Sequence, residues 1–177
     1  MRIIAGTNKG RALKAPTWVG LRPTSDKLRE TLFNIIAQRV PDSRLLDVFA
    51  GTGAIALEAL SRGAASATCV EHDRRALLLI ADNRDRCGAG DRCIVVRAPA
   101  ERALAAPIAG GPFDVVFLDP PYDYNRLEQA VAAAATQRAA DGLLVLEHAS
   151  RITPPTPAGL TATRTVTSGD SALTFYS

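Results

Sequence analysis

From Arg44 onward the chain alternates two kinds of apolar pattern. Short, nearly continuous apolar runs (LLDVFA from Leu45, ATCVE from Ala67, CIVVR from Cys93, FDVVFLD from Phe113 and GLLVLEH from Gly142) are separated by stretches of helical spacing: AIALEALSRG, RRALLLIADNRDRC, a short AERALAA and NRLEQAVAAAATQRAA. Strands that are apolar on both sides and joined by crossover helices belong in a parallel sheet covered by helices on each face. The alanine-rich residues 130–140 read as a surface helix, since Ala is the strongest helix former. Two alternating stretches, Leu160 to Thr167 and Ser171 to Tyr176, flank Ser168-Gly169-Asp170 and predict a closing antiparallel hairpin, which brings the strand count to seven.

Ahead of this α/β body the pattern differs. Arg2 to Ala5 and Arg11 to Ala15 read as two short strands around a turn with Gly6 and Gly10. The resulting small hairpin is expected to be self-contained. After Pro23, Thr24-Ser25-Asp26 offers helix caps, and Leu28, Leu32, Ile35 and Ile36 recur as one buried face of a helix of about four turns that ends near Pro41.

Composition narrows the class. The 177 residues are 47% apolar and 22% charged, which suits one globular domain and excludes a disordered tail or a coiled coil. No apolar run reaches the length of a membrane span, and MRIIAGTNKGR lacks the apolar core of a secretory signal, so a cytoplasmic monomer is expected, with no membrane partner. Cys69, Cys87 and Cys93 form no CxxC pair, and neither a disulfide framework nor a metal site is expected. The formal charge of +3 is unevenly spread: the first thirty residues hold seven basic and two acidic side chains, the remainder fourteen and sixteen. We therefore divide the chain into a basic arm, residues 1–22, and a body, residues 23–177. Arg2, Lys9, Arg11, Lys14 and Arg22 are the expected contacts to a polyanion such as RNA.

Two motifs carry the chemistry. Asp47-Val48-Phe49-Ala50-Gly51-Thr52-Gly53 stands at the carboxyl end of the first long-run strand, where open α/β sheets bind ligands, and Glu71 ends the next strand with a carboxylate suited to ribose hydroxyls. Gly51, Gly53 and Ala56 also satisfy a dinucleotide pattern, so NAD is an alternative. Fixed carboxylates would repel a pyrophosphate and attract the ammonium and sulfonium of S-adenosylmethionine. Asp119-Pro120-Pro121-Tyr122 closes FDVVFLD and is locally stiff. An exocyclic amino nitrogen of a nucleobase is a poor nucleophile because its lone pair is delocalised. Hydrogen bonds from that group to the Asp119 carboxylate and the Pro120 carbonyl would favour a pyramidal nitrogen, with Tyr122 stacked on the base.

Taken together, MRIIAG, Gly10-Arg11, RPTSDKLRETLFNI from Arg22, LLDVFAGTGAIALEALSRGA from Leu45, VEHD from Val70, FLDPPY from Phe117 and SGDSALTFY from Ser168 resemble the RsmD-type small-subunit ribosomal RNA methyltransferases over nearly the whole chain. The resemblance implies a class I methyltransferase (Rossmann-like) fold and methyl transfer from S-adenosylmethionine to the N2 amino group of a guanine in 16S rRNA, within a partly assembled 30S particle. It also implies cofactor contacts from Asp47, Ala50, Gly51, Thr52, Gly53, Glu71, His72, Ala100 and Asp119, with Asp119, Pro120 and Tyr122 as catalytic residues. Gly53 is expected to face the cofactor. Pro99 stands where the family often has an acid that reads adenine, which shifts that task to the backbone near Ala100 or to Glu101; Ser168 replaces an aromatic. Rival readings are an adenine N6 methyltransferase on DNA or RNA and a non-catalytic rRNA-binding assembly factor. Trp18 suits RNA stacking or packing under the hairpin, His72 and His148 suit surface or supporting roles, and neither Arg29 nor Asn34 has an assigned task.

Overall fold

A computed structural model describes residues 1–18 and 24–177, so Arg22 and Pro23 lie outside the described residues. The strands are β1 (Arg44–Val48), β2 (Ser66–Glu71), β3 (Cys93–Arg97), β4 (Phe113–Leu118), β5 (Arg138–Ala149), β6 (Ala162–Ser168) and β7 (Ser171–Tyr176). They form one sheet in the order β3-β2-β1-β4-β5-β7-β6, parallel from β3 to β5, with β7 antiparallel to both β5 and β6. The order reverses between β1 and β4, which makes the carboxyl ends of these two strands the natural crevice.

Helices α1 (Asp26–Ile35), α2 (Ala54–Ser61) and α3 (Arg74–Arg86) share one core with Val115, Phe117, Val145 and Leu173, whereas α4 (Ala100–Leu104) and α5 (Leu127–Ala135) share a second with Leu46, Val48, Val116 and Leu118. Neighbouring residues of one strand fall in different cores, as the period of two requires. The sheet is therefore covered on both faces, as its unbroken apolar runs predict.

Three local expectations are corrected. The first helix ends at Ile35 and passes into a 3-10 turn over Ala37–Arg39, and its buried face takes in Arg29 and Phe33 while Ile35 is only half-buried. The alanine-rich stretch is helical only to Ala135. Arg138 already pairs with Phe113, and the Gln137 side chain caps the Ile108 N–H, so strand pairing overrides the helix preference of Ala139 and Ala140. One face of α5, through Ala130, Val131 and Ala134, is buried on the sheet.

The third correction concerns the arm. It is a hairpin, with Arg2 bridged to Ala12 and Ile3 and Gly10 joined by a 2.8 Å hydrogen bond, but it is not self-contained. Ile3 is 0% exposed and Leu13 6%, both in the core under α2. The buried Glu58 of α2 accepts the backbone N–H groups of Ile4 at 2.8 Å and Ala5 at 3.0 Å, together with Arg62 Nε at 2.7 Å. Arg29 Nε lies 3.9 Å from the same carboxylate, while Arg29 Nη2 donates to the Arg2 carbonyl and to Asp26. Gly6, at φ +82°, passes so close to α2 that a Cβ would sit 1.8 Å from the Ser61 carbonyl oxygen. Asn83 of α3 completes the seam: its Oδ1 accepts from Lys14 N, and its amide donates to the Lys14 and Thr52 carbonyls.

Breaking a buried ion pair strands the other partner, so Glu58→Ala is expected to cost about 3–5 kcal/mol. Chemical denaturation reads this as a lower midpoint. Loss of residues 1–16 is expected to unfold the protein rather than leave an intact body.

Candidate active site

A cleft of about 530 Å³ opens at the carboxyl ends of the central strands. The β1–α2 loop forms its floor. Phe49 at φ +68° and Gly51 at φ +55° turn the chain through left-handed conformations, costly for a bulky side chain, and the Phe49 ring stays in place edge-on to Tyr124 with centroids 5.2 Å apart. Gly53 is the N-cap of α2 at φ +74°, and its missing Cβ would point at Ile80 Cγ1, 3.4 Å away, rather than into the cleft. The expectation that Gly53 faces the cofactor is thus corrected: this glycine serves the turn and the approach of α3.

Glu71 ends β2, and its carboxylate is held by backbone donors. Its Oε2 accepts the Gly51 N–H at 2.9 Å, and its Oε1 accepts the N–H groups of His72 at 2.7 Å and Asp73 at 2.8 Å. Three backbone donors fix a carboxylate at the cleft wall. The Gly51 N–H is turned toward that carboxylate instead of toward a phosphate, which counts against a dinucleotide. His72 is exposed at the rim, with Nδ1 3.5 Å from Glu71.

Asp47 is 1% exposed, and its Oδ2 has no hydrogen-bond partner among the described residues. Burial pushes its pKa well above the ordinary carboxylate range and the Asp119 charge adds to this, while a hydrogen bond from the Ala56 backbone works against it. A buried carboxylate beside a cleft, with one oxygen lacking a hydrogen-bond partner among the described residues, suits a cation.

Asp119 and Pro120 follow β4 directly, beside Asp47, since β1 and β4 are paired in register up to Val48 and Leu118. Thr24 Oγ1 donates to Asp119 Oδ2 at 2.9 Å. The Tyr122 ring is 42% exposed, and its hydroxyl sits 2.7 Å from Ser171 Oγ on β7. Ser168, at the position that departs from the family pattern, lines the same wall.

Of the expected cofactor residues, Asp47, Ala50, Gly51, Thr52, Glu71, His72 and Asp119 line the cleft, and Ala100 does not: it opens α4 and is buried in the second core. Glu101 is exposed and accepts the Tyr124 hydroxyl at 2.7 Å, which lowers its pKa; burial, then Glu101, raises that of Tyr124 to about 12. The arm residues divide as well. All four described arm cations are exposed, but Lys14 is paired with Asp82 and Arg11 donates to the Arg86 carbonyl, both on α3, whereas Arg2 and Lys9 make no such side-chain contact to α3. Trp18 lines the cleft under Arg75, 4.7 Å from its ring centroid, rather than packing beneath the hairpin.

Sequence reasoning missed three wall residues. Glu147 follows the β4–β5 register one step beyond Leu118 and Leu146, 5% exposed and beside Asp119; the strand pattern gave it away only as an acid at the end of an apolar run. Thr24 lay hidden among helix caps, and Phe49 within a glycine loop. His148 is buried instead, with Nε2 2.9 Å from Thr174 Oγ1, and Cys69 and Cys93 share a hydrogen bond in the core.

The family described as "Conserved hypothetical protein 95", the RsmD family, matches residues 1–177. The chain belongs to it. This RsmD-family protein is 37% identical over 180 residues to the Bacillus subtilis "Putative rRNA methyltransferase YlbH", across 99% of this chain and 98% of that one. It is 45% identical over 131 residues to the Escherichia coli "Ribosomal RNA small subunit methyltransferase D", a match that spans 74% of this chain and 65% of the relative. The solved structure of "Putative methyltransferase yhhF from Escherichia coli" aligns with a TM-score of 0.87 at 38% identity, over 99% of this chain and 96% of that one. A Salinibacter ruber RNA methyltransferase in complex with S-adenosyl-L-homocysteine shares the fold alone, with a TM-score of 0.68 at 16% identity over 87% of this chain and 92% of that one.

S-adenosylmethionine is the cofactor of this class I methyltransferase fold. The residues present fit it: the orphaned Asp47 oxygen and the surrounding carboxylates suit its positive charges, and Glu71 suits its ribose. Asp47→Asn is expected to weaken cofactor binding in calorimetry while stabilising the free protein. The folded chain holds the Asp47 proton to higher pH than the unfolded chain does, so wild-type stability drains away as pH rises from the ordinary carboxylate range toward the raised value. The variant loses nothing there, and the gap in Tm should widen with pH.

Proposed function

We propose that the chain methylates the N2 amino group of a guanine in small-subunit (16S) ribosomal RNA, with a partly assembled 30S particle as substrate. The observation that carries this reading is the stiff Asp119-Pro120 step beside the carboxylate floor of the cleft, with Tyr122 at its mouth. The bound cofactor supplies an electrophilic methyl group on a sulfonium. The protein's part is to hold the acceptor in line with it. The Asp119 carboxylate and Pro120 carbonyl accept the two N–H bonds of the amino group, and Tyr122 offers a base-stacking face whose hydroxyl is tethered by Ser171. The names of the relatives support rRNA as the substrate class, and the guanine N2 assignment follows from the family resemblance of the motifs.

Asp119→Ala is expected to lower kcat by roughly 100-fold or more, with a much smaller rise in cofactor Kd from the loss of its charge beside Asp47, because the residue acts chiefly on the acceptor. Single-turnover methylation at saturating RNA measures the first and calorimetry the second. Mass-spectrometric mapping of the product base tests guanine N2 directly, and a methyl group on adenine N6 would replace this reading.

For the arm, exposed Arg2 and Lys9 are the phosphate contacts, whereas Arg11 and Lys14 are engaged with α3. Neutralising Arg2 and Lys9 with glutamine is expected to flatten the logarithmic salt dependence of RNA affinity by about 0.7 per lost contact. An unchanged slope would remove the arm from the RNA interface.

A further inference from the structure

RPTSDKLRETLFNI is the most distinctive motif of the sequence, and the cleft chemistry above leaves it without a role. Most of its described residues are explained by folding. Leu28, Leu32 and Phe33 fill the core, Ser25 caps α1 by accepting from Leu28 N at 3.1 Å, and Arg29 is locked into the Glu58 seam. Thr24 is different: it is half-buried, lines the cleft, and spends its hydroxyl on Asp119.

We propose that Thr24 is a positioning residue for methyl transfer, its hydroxyl fixing the Asp119 carboxylate in the orientation that receives the target amino group. This rests on the reading of Asp119 given above. Proline on its carboxyl side stiffens the Asp119 backbone, which does not by itself set χ1 and χ2 of the side chain. The Thr24 donor at 2.9 Å holds the Oδ2 oxygen. A carboxylate offers about four acceptor directions, so one hydroxyl does not compete with an amino group for it. The donor is in turn well anchored, because Thr24 immediately precedes the Ser25 cap of a helix held by a buried arginine. Geometry at the reacting centre is where small misplacements are expensive. Through this contact, the segment that folds the arm onto the body also sets the acid at the end of β4.

Thr24→Val keeps the shape of the side chain and removes its donor, whereas Thr24→Ser keeps the donor. The valine variant is expected to lose about tenfold in single-turnover rate, with cofactor Kd and RNA KM within about twofold of wild type, and the serine variant to recover most of the loss. In a double-mutant cycle on an Asp119→Ala background, Thr24→Val should cost nothing further, since a residue that acts only through Asp119 has nothing left to act upon. Crystal structures should show one Asp119 side-chain conformer in wild type and Thr24→Ser, and a displaced or divided one in Thr24→Val. An unchanged rate, a full second loss on the Asp119→Ala background, or an undisturbed Asp119 in the valine variant would each overturn the proposal. If the methylated base proves to be adenine, the guanine reading fails and the cycle is run on that base. If the wild type methylates no RNA, the reading of function fails, and the position of Asp119 in the variant crystals decides the role of Thr24 alone.

Discussion

The carboxylate of Glu58 is the point on which the amino-terminal third of the molecule converges. It is fully buried in α2, and it is satisfied by groups from three separate segments: the arm, through two backbone N–H groups, α1, through Arg29, and its own helix, through Arg62. Taking two guanidinium groups and a carboxylate out of water is expensive, and the arrangement is stable only when all three segments are docked together. Burial lowers the pKa of Arg29, and the neighbouring Asp26 and Glu58 charges oppose that shift. A polar junction of this kind does little for net stability by itself. What it contributes is registration, since the Ile4 and Ala5 N–H groups meet this carboxylate when the arm lies in its observed place on α2.

The carboxyl end of the sheet works on the opposite principle. There Asp47, Asp119 and Glu147 come from adjacent strands to one cleft, and Glu71 stands at its side. Burial raises the proton affinity of Asp47, and the neighbouring Asp119 charge raises it further. The free protein carries that penalty as a standing cost, and a cationic ligand relieves it. Affinity for a positively charged cofactor is thus stored in the fold as electrostatic strain, with the glycine turn and the three N–H groups on Glu71 supplying the shape.

Much of this was legible in the sequence, for reasons that differ by element. The five parallel strands were readable because strands covered on both faces are apolar with little interruption, the closing hairpin because two alternating stretches flank Ser168-Gly169-Asp170, and the loop at Asp47 to Gly53 because a left-handed turn at a strand end leaves glycines behind. The end of α5 was not, since Ala139 and Ala140 tolerate either state and the pairing of the preceding Arg138 with Phe113, distant in sequence, decides. Charge counting placed the arm's cations correctly on one segment, yet it could not tell Lys14, spent on Asp82, from Lys9, which faces solvent. Neither Glu58 nor Asn83 announced its role. Each is a polar residue in a helix whose partners in the arm lie tens of positions away, and no local periodicity encodes such a contact.

The position of β7 has a bearing on how the molecule is made. It follows β6 in the chain but lies between β5 and β6, so β6 reaches the sheet only through it. While the polypeptide is being synthesised, the outer edge of β5 must stay open until residues 171–176 have emerged, and an apolar edge left waiting is a hazard for mispairing. Ser171, which tethers Tyr122, opens that late strand. The wall that Tyr122 and Ser171 form is consequently assembled after the glycine turn, and a nascent chain that has already folded the turn still lacks that side of the cleft.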